Sequence, residues 1–315
     1  MAAAELQAAA GPLAASLLGE PLVLWRDATG APQVFSDRCP HRGASLALGC
    51  VRDGQLECAY HGWRFEGGGR CVAIPAVPGF VPPATHTATR FDLREAYGLL
   101  WVRLEPTPDG EGEVPPFDAE HDTRLRKVLI GPYDVATSAP RIVENFLDLS
   151  HFGFVHGGLL GDREHTQMAP YVVTEGEHGV AVLGCQVWQP QSTVSAPGGS
   201  LVAYDYALPA PYTAMLAKAP EVQNGYRETI ALFVSPLTPE TSRVWFRYAS
   251  PDFDVSDEQI RAFQHTIFMQ DQPVLESQRP RRLPLAGGEL HSGADRSSAA
   301  YRRYLQRLGI SFGVC

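Results

Sequence analysis

Two cysteines and two histidines stand in matched pairs near the start of the chain: Cys39 and His41 in CPHRGASLALG, Cys58 and His61 in CAYHGWRF. The spacing is C-x-H-x16-C-x-x-H. Each pair is close enough for both side chains to grip one metal or one cluster. Two chemistries accept two thiolates and two imidazoles. One is a tetrahedral structural zinc site. The other is a [2Fe-2S] cluster in which the thiolates hold one iron and the imidazoles the other, which raises its reduction potential above that of an all-cysteine cluster. Zinc fingers usually draw Cys-Cys from one side and His-His from the other, whereas each half here supplies one of each. That order favours the cluster.

A cluster that only relays electrons needs about a hundred residues, the size of one small domain, and the chain has 315. In ENFLDLSHFGFVH, residues 144–156, Asn145, Asp148 and His151 follow at three-residue steps, so neighbours along the row share a helix face. His156 comes five residues after His151, roughly 140° round an ideal helix. Both imidazoles meet one metal only where the helix distorts or ends between them, and Gly153 and Gly157 allow that. The plain alternative is a core histidine at 151 and a dipole-favoured one near the helix end at 156. Further on, Ile260, Phe263, Ile267, Asp271 and Val274 lie on one stripe, so Asp271 interrupts an apolar face. A buried carboxylate needs a strong partner. A metal is one such partner; capping a helix that restarts at Pro273 is another use, and Glu276 is a competing acidic ligand. Two histidines and one carboxylate form the facial triad of non-heme iron(II) oxygenases, with open positions for oxygen beside a substrate pocket.

The elements that must position these groups can be read from patterning. Length makes two domains the expectation. Residues 20 to 104 offer short β-rich runs (PLVLWRD, QVFSD, LECAYHGWRF, CVAIPA, YGLLWVRL) cut by turn signals at Asp27 to Gly30, Asp53-Gly54 and Gly67 to Gly69, which predicts a small all-β domain. The acidic, proline-rich stretch 105–120 reads as a linker, giving domains over 1–116 and 117–315. KVLIGPYDVA predicts a strand, and SAPRIVENFLDLSHFGFVHGG a helix of irregular end. From 171 to 250, six alternating runs predict an antiparallel sheet, and SDEQIRAFQHTIFMQDQPVLESQ predicts a long helix capped by Ser256, with Gln259 at the capping-box position. SSAAYRRYLQRLG adds a last helix. The class is α+β.

Composition excludes several functions. A net charge of −9 without a dense Lys/Arg run argues against a nucleic-acid partner. The Ala-rich start has no basic residue before Arg26 and no apolar run spans a bilayer, so no secretory signal, no membrane partner and a cytoplasmic location are expected. Six scattered cysteines in a long chain argue against a disulfide framework; Cys50 and Cys71 are expected as small buried hydrophobes. No G-x-G-x-x-G follows a strand, so electrons must come from a partner. Candidate pocket walls are the apolar or aromatic Phe146, Leu147, Phe152, Tyr204, Tyr212, Phe233 and Phe246, most of which suit a core equally or better, and His165, Arg227 and Arg243 are read either as partners of a carboxylate or as surface.

Through CPHRGASLALG and CAYHGWRF the chain resembles the Rieske proteins, and with Ala44 and Tyr60 where respiratory members carry a disulfide it is similar to the oxygenase branch. N-x-x-D-x-x-H-x4-H and the later D-x4-E extend the resemblance to terminal oxygenase components of Rieske non-heme iron oxygenases, most nearly the short vanillate O-demethylase and dicamba monooxygenase type. The resemblance implies a Rieske domain followed by a helix-grip (START-like) catalytic domain. It implies Cys39, His41, Cys58 and His61 at the [2Fe-2S] cluster and His151, His156 and Asp271 at Fe(II). Asn145 would sit near the iron, and Asp148 would bridge His151 to the partner subunit's His61 in a head-to-tail homotrimer. A reductase or ferredoxin would pass on electrons from NAD(P)H, and O2 would be used to hydroxylate or oxidatively demethylate an aromatic or related cyclic small molecule. The alternatives are cis-dihydroxylation, a Rieske electron carrier, or a zinc-stabilised ligand-binding protein.

Overall fold

The computed structural model describes residues 1–105, 113–176 and 179–315, and the chain divides into two units, Met1–Val114 and Pro115–Cys315. In the first, helix α1 (Ala3–Ala8) precedes an antiparallel sheet of β1 (Leu13–Leu17), β2 (Glu20–Arg26) and β3 (Pro32–Ser36). A second sheet runs β4 (Cys50–Arg52), β5 (Gln55–Glu57), β6 (Arg64–Phe65) and β7 (Cys71–Ala73), and β8 (Asp92–Ala96) pairs with β9 (Leu99–Arg103). The runs expected from sequence omit β1, β4 and β8, whose LAASL, CVR and DLREA carry few large β-formers. Asp53 and Gly54 both take positive φ to turn β4 into β5, as a tight two-residue hairpin requires. Val23, Trp25, Phe35, Leu56 and Phe65 form a core against which Cys39 and Cys58 are buried. Cys71 is buried as expected, but Cys50 is not: it stands exposed at the start of β4, its Sγ 3.8 Å from Glu57 Oε1. Part of the expected linker, residues 106–112, lies outside the described residues. Its end is ordered chain, since Phe117 is buried, Asp118–His121 winds into a 3-10 turn, and Glu120 accepts from Arg247 at 2.6 and 2.8 Å.

The second unit opens with β10 (Arg126–Val135), then α2 (Ala139–Leu147), α3 (Phe152–Val155), β11 (Val172–Gly176), β12 (Gly179–Gln189), β13 (Ser200–Ala210), β14 (Thr213–Pro220), β15 (Glu228–Thr238) and β16 (Thr241–Ser250). It ends with α4 (Asp257–Ser277) and α5 (Arg296–Arg307). One antiparallel sheet runs β10-β16-β15-β14-β13-β12-β11. Alternation turns Val202, Tyr204, Tyr206 and Leu208 of β13 inward. Against the sheet lie α2 on β14 and β15, α4 on β10, and α5 on β11 and β12, the α+β helix-grip arrangement.

Two helices depart from expectation. The helix expected to run to Gly157 stops at Leu147, where Asp148 turns extended and its Oδ1 accepts from the Ser150 N–H at 2.8 Å and hydroxyl at 2.7 Å; α3 starts afresh at Phe152. Helix α4 runs unbroken through Pro273, so no helix restarts there for Asp271 to cap. Its buried positions are Ile260, Phe268, Asp271 and Leu275, while Val274 is exposed. Behind α2, Arg141 and Arg302 are buried against Glu144 and Glu289, with Arg302 Nε to Glu144 Oε1 at 2.7 Å and Arg141 Nη2 to Glu289 Oε1 at 2.6 Å. Among the described residues no helix is long and apolar enough to cross a membrane.

Candidate active site

The two cysteine-histidine loops close alike. The Gly43 N–H donates to the Cys39 carbonyl at 2.8 Å and the Gly62 N–H to the Cys58 carbonyl at 3.0 Å, each glycine at a positive φ that a side chain would strain. Cys39 and Cys58 are both 2% exposed, and burial pushes the Cys39 thiol up to about 11. A thiolate here therefore needs a metal-type partner. The rings of His41 and His61 meet edge-on with centroids 4.6 Å apart, and His41 stacks on Trp63 at 4.4 Å. His41 is held below its usual value, by desolvation first and then by the neighbouring His61, Arg42 and His86. Its Nδ1 is buried with no hydrogen-bond partner. An orphaned ring nitrogen near two buried thiols fits a mixed Cys/His cluster.

In the second unit the break after α2 and the short α3 bring together what an unbroken helix would hold apart. His151 Nε2 lies 3.2 Å from His156 Nε2, and Asp271 Oδ1 lies 3.4 Å and 3.3 Å from them. These atoms form the described residues' only grouping of three ligand atoms that could hold a metal ion. Bonds of about 2.1 Å place neighbouring ligands roughly 3.0–3.4 Å apart, so the triangle is of metal-site size. Each ligand is held from behind. Asp148 Oδ2 is 3.1 Å from His151 Nδ1, Gln270 Oε1 is 2.8 Å from His156 Nδ1, and Asn145 Nδ2 donates to Asp271 Oδ1 at 3.3 Å. Burial alone would lower His151 and raise Asp271. Instead, the carboxylates of Asp148 and Asp271 raise His151 to about 9, and the two imidazoles lower Asp271 to about 2. Glu276 is elsewhere, accepting from the Ala136 N–H at 3.0 Å and Gln272 Nε2 at 2.9 Å.

A cavity opens beside the triad between the sheet and helices α2 and α4. Of the expected walls, Phe146, Phe152, Tyr204 and Phe246 line it; Leu147, Tyr212 and Phe233 do not. His165, Arg227 and Arg243 are also absent from it: they pair with Asp162, Asp205 and Asp134 instead. Sequence reasoning missed Gln270, Gln264, Tyr206 and Lys218. The amides have no type signal, but Tyr206 and Lys218 had one, as polar groups on the inward parity of otherwise apolar strands.

Two family models match the chain: the Rieske [2Fe-2S] domain over residues 1–88 and the vanillate O-demethylase oxygenase C-terminal domain over residues 135–309. Methylxanthine N1-demethylase NdmA of Pseudomonas putida is 34% identical over 300 residues, covering 95% of this chain and 83% of that protein. The structure of Pseudomonas putida CBB5 NdmA with caffeine superposes with a TM-score of 0.86 at 31% identity, over 98% of this chain and 88% of that one. The oxygenase component of dicamba O-demethylase from Stenotrophomonas maltophilia is 36% identical over 147 residues, 46% of this chain and 42% of that protein. Oxidoreductase NdmD of Pseudomonas putida is 40% identical over 95 residues, 30% of this chain and 16% of that protein.

Proposed function

The chain belongs to the Rieske non-heme iron oxygenases, as a terminal oxygenase component, and from that premise we propose how its own residues divide the work. It is an O2-dependent monooxygenase carrying a [2Fe-2S] cluster and a mononuclear iron, supplied with NAD(P)H electrons through a separate reductase. In our reading Cys39, His41, Cys58 and His61 hold the cluster, and His151, His156 and Asp271 hold the iron. The iron, when bound, supplies oxygen activation; the chain supplies orientation. Asp148 and Gln270 fix the tautomers of His151 and His156 so that both Nε2 lone pairs face the third ligand. Asn145 steadies the Asp271 carboxylate. The aromatic walls exclude water and take a flat guest.

The substrate in this reading is a methylated aromatic. Hydroxylation of an N- or O-methyl group gives a carbinol that breaks to formaldehyde and the free N–H or O–H. The observation that carries this is the ligand triangle opening on an aromatic-lined cavity. Electrons would reach it in a head-to-tail homotrimer, through Asp148 from the partner subunit's His61, and a cytoplasmic location would suit a protein fed by NAD(P)H. The test is product analysis with iron- and cluster-loaded protein, a surrogate reductase, NADH, O2 and a panel of methoxyarenes and N-methyl heteroaromatics. Formaldehyde matching the O2 consumed is expected. A cis-diol product, or O2 uptake without formaldehyde, would overturn it.

A further inference from the structure

Oxygen activation leaves one charged group in the cavity unused. Lys218, 3% exposed, is the only lysine or arginine among its described lining residues. Rings connect it to the triad: Phe152 lies 5.6 Å from His156 and 6.0 Å from Tyr204, and Tyr204 faces Lys218 across the β13–β14 ladder. The ammonium has three N–H donors. One goes to the Ser192 carbonyl, and Glu228 Oε1 lies 2.8 Å away as the ion-pair partner. Tyr206 lines the same cavity, and its hydroxyl is buried with no hydrogen-bond partner. Because Tyr206 pairs with Leu216, it stands diagonal to Lys218 on the inward face, about 7–8 Å away along the backbone, within the span of one ring system. An orphaned buried hydroxyl and a spare ammonium proton in one cavity ask for an acceptor.

Charge decides which acceptor. Glu228 is fully buried and already opposes Lys218, and it also accepts from Tyr226 and Tyr248. Asp252 adds a second carboxylate, accepting from Tyr226 and from Ser195, each at 2.6 Å. Beside Lys218 a carboxylate guest would be a third anion against that one ammonium, a costly arrangement in a buried place. A neutral carbonyl takes both donors without that cost.

We propose that Lys218 and Tyr206 form the recognition end of the cavity, binding the uncharged ring carbonyl of a flat heteroaromatic whose methyl group is directed at the triad. This rests on the demethylase reading above. The test measures binding to the holoenzyme, apart from turnover, of 1-methylquinolin-2-one, 1-methylindole and 4-methoxybenzoate. The lactam is expected to bind best. Tyr206→Phe should weaken it about tenfold, the worth of one hydrogen bond to a buried group, and leave 1-methylindole within about twofold. Lys218→Met alone strands Glu228, so the Lys218→Met/Glu228→Gln pair is the second variant, with the same expected pattern. Equal weakening of lactam and indole, no weakening of either, or tightest binding of the benzoate by the parent enzyme overturns the proposal. If the binding pattern holds while no methylated ligand is turned over, the demethylase reading fails and the recognition site stands.

Discussion

A histidine ligand has two nitrogens, and the partner of one decides where the other points. His151 gives Nδ1 to a carboxylate, Asp148, whereas His156 gives its own to an amide, Gln270, at 2.8 Å. Gln270→Leu removes that hold without removing a ligand. We expect turnover and iron affinity to fall about 10- to 100-fold, as for other groups that orient ligands, with the cluster's visible absorbance unchanged. Asp271→Ala, by contrast, should leave the cluster absorbance and abolish both iron retention and turnover, read by metal analysis and O2 uptake; iron kept at full occupancy in that variant would remove Asp271 from the ligand set. Asp271 was legible because it interrupts an apolar stripe, and His151 and His156 through their spacing; that the three act together was implied by the family resemblance. Gln270 was not, since an amide beside an aspartate in QDQ carries no signal of its own. Lys218 and Tyr206 carried a signal as polar groups on the apolar parity of their strands, and strand register then set them diagonal to each other.

At the level of elements, helix α4 carries Gln264, Gln270 and Asp271 on one rod, so its start sets where Asp271 stands. The start of the rod was legible to the residue, because Ser256 and Gln259 cap each other reciprocally, at 3.2 and 2.9 Å. Ser256→Ala should cost about 1 kcal/mol in urea unfolding, with the ligand set intact. The break after α2 was less legible: helical spacing continues through DLSH, and only the side chain of Asp148, bonding Ser150 locally, diverts the chain. Short β1, β4 and β8 escaped for want of β-formers. Behind α2, burial would raise Glu289, but Arg141 and Arg302 outweigh it and hold the carboxyl below its ordinary 4.5. A depressed carboxyl contributes stability above its unfolded value and loses it as pH falls through the folded one. Glu289→Gln should therefore be less stable near pH 7 by on the order of 2 kcal/mol, and the difference should shrink in acid, below about pH 4.5. A gap that stays constant down to acid pH would mean that Glu289 acts through packing and not through charge.

At the scale of the whole molecule, the two family models fall on different units of the chain, a cluster-bearing one over residues 1–88 and a catalytic one over residues 135–309. The sequence made this division legible because each unit carries its own candidate ligand types; which cluster serves which iron depends on assembly, and only the family resemblance spoke for a path between subunits. Two variants decide it. Chains with Cys58→Ala would keep the iron ligands and lose the cluster, and chains with Asp271→Ala would keep the cluster and lose the iron. Neither alone should turn over. If electrons pass inside one chain, a mixture is as dead as its parts, because every chain lacks one centre. If they pass between neighbours in a ring, some junctions in co-expressed mixed trimers pair an intact cluster with an intact iron. Random one-to-one assembly makes about a quarter of junctions productive, so turnover should recover to about a quarter of the parent rate. Formaldehyde release per total protein is the measurement, with each variant expressed alone as the control. Recovery near that level would place the electron path across the subunit boundary, and none would confine it to the single chain.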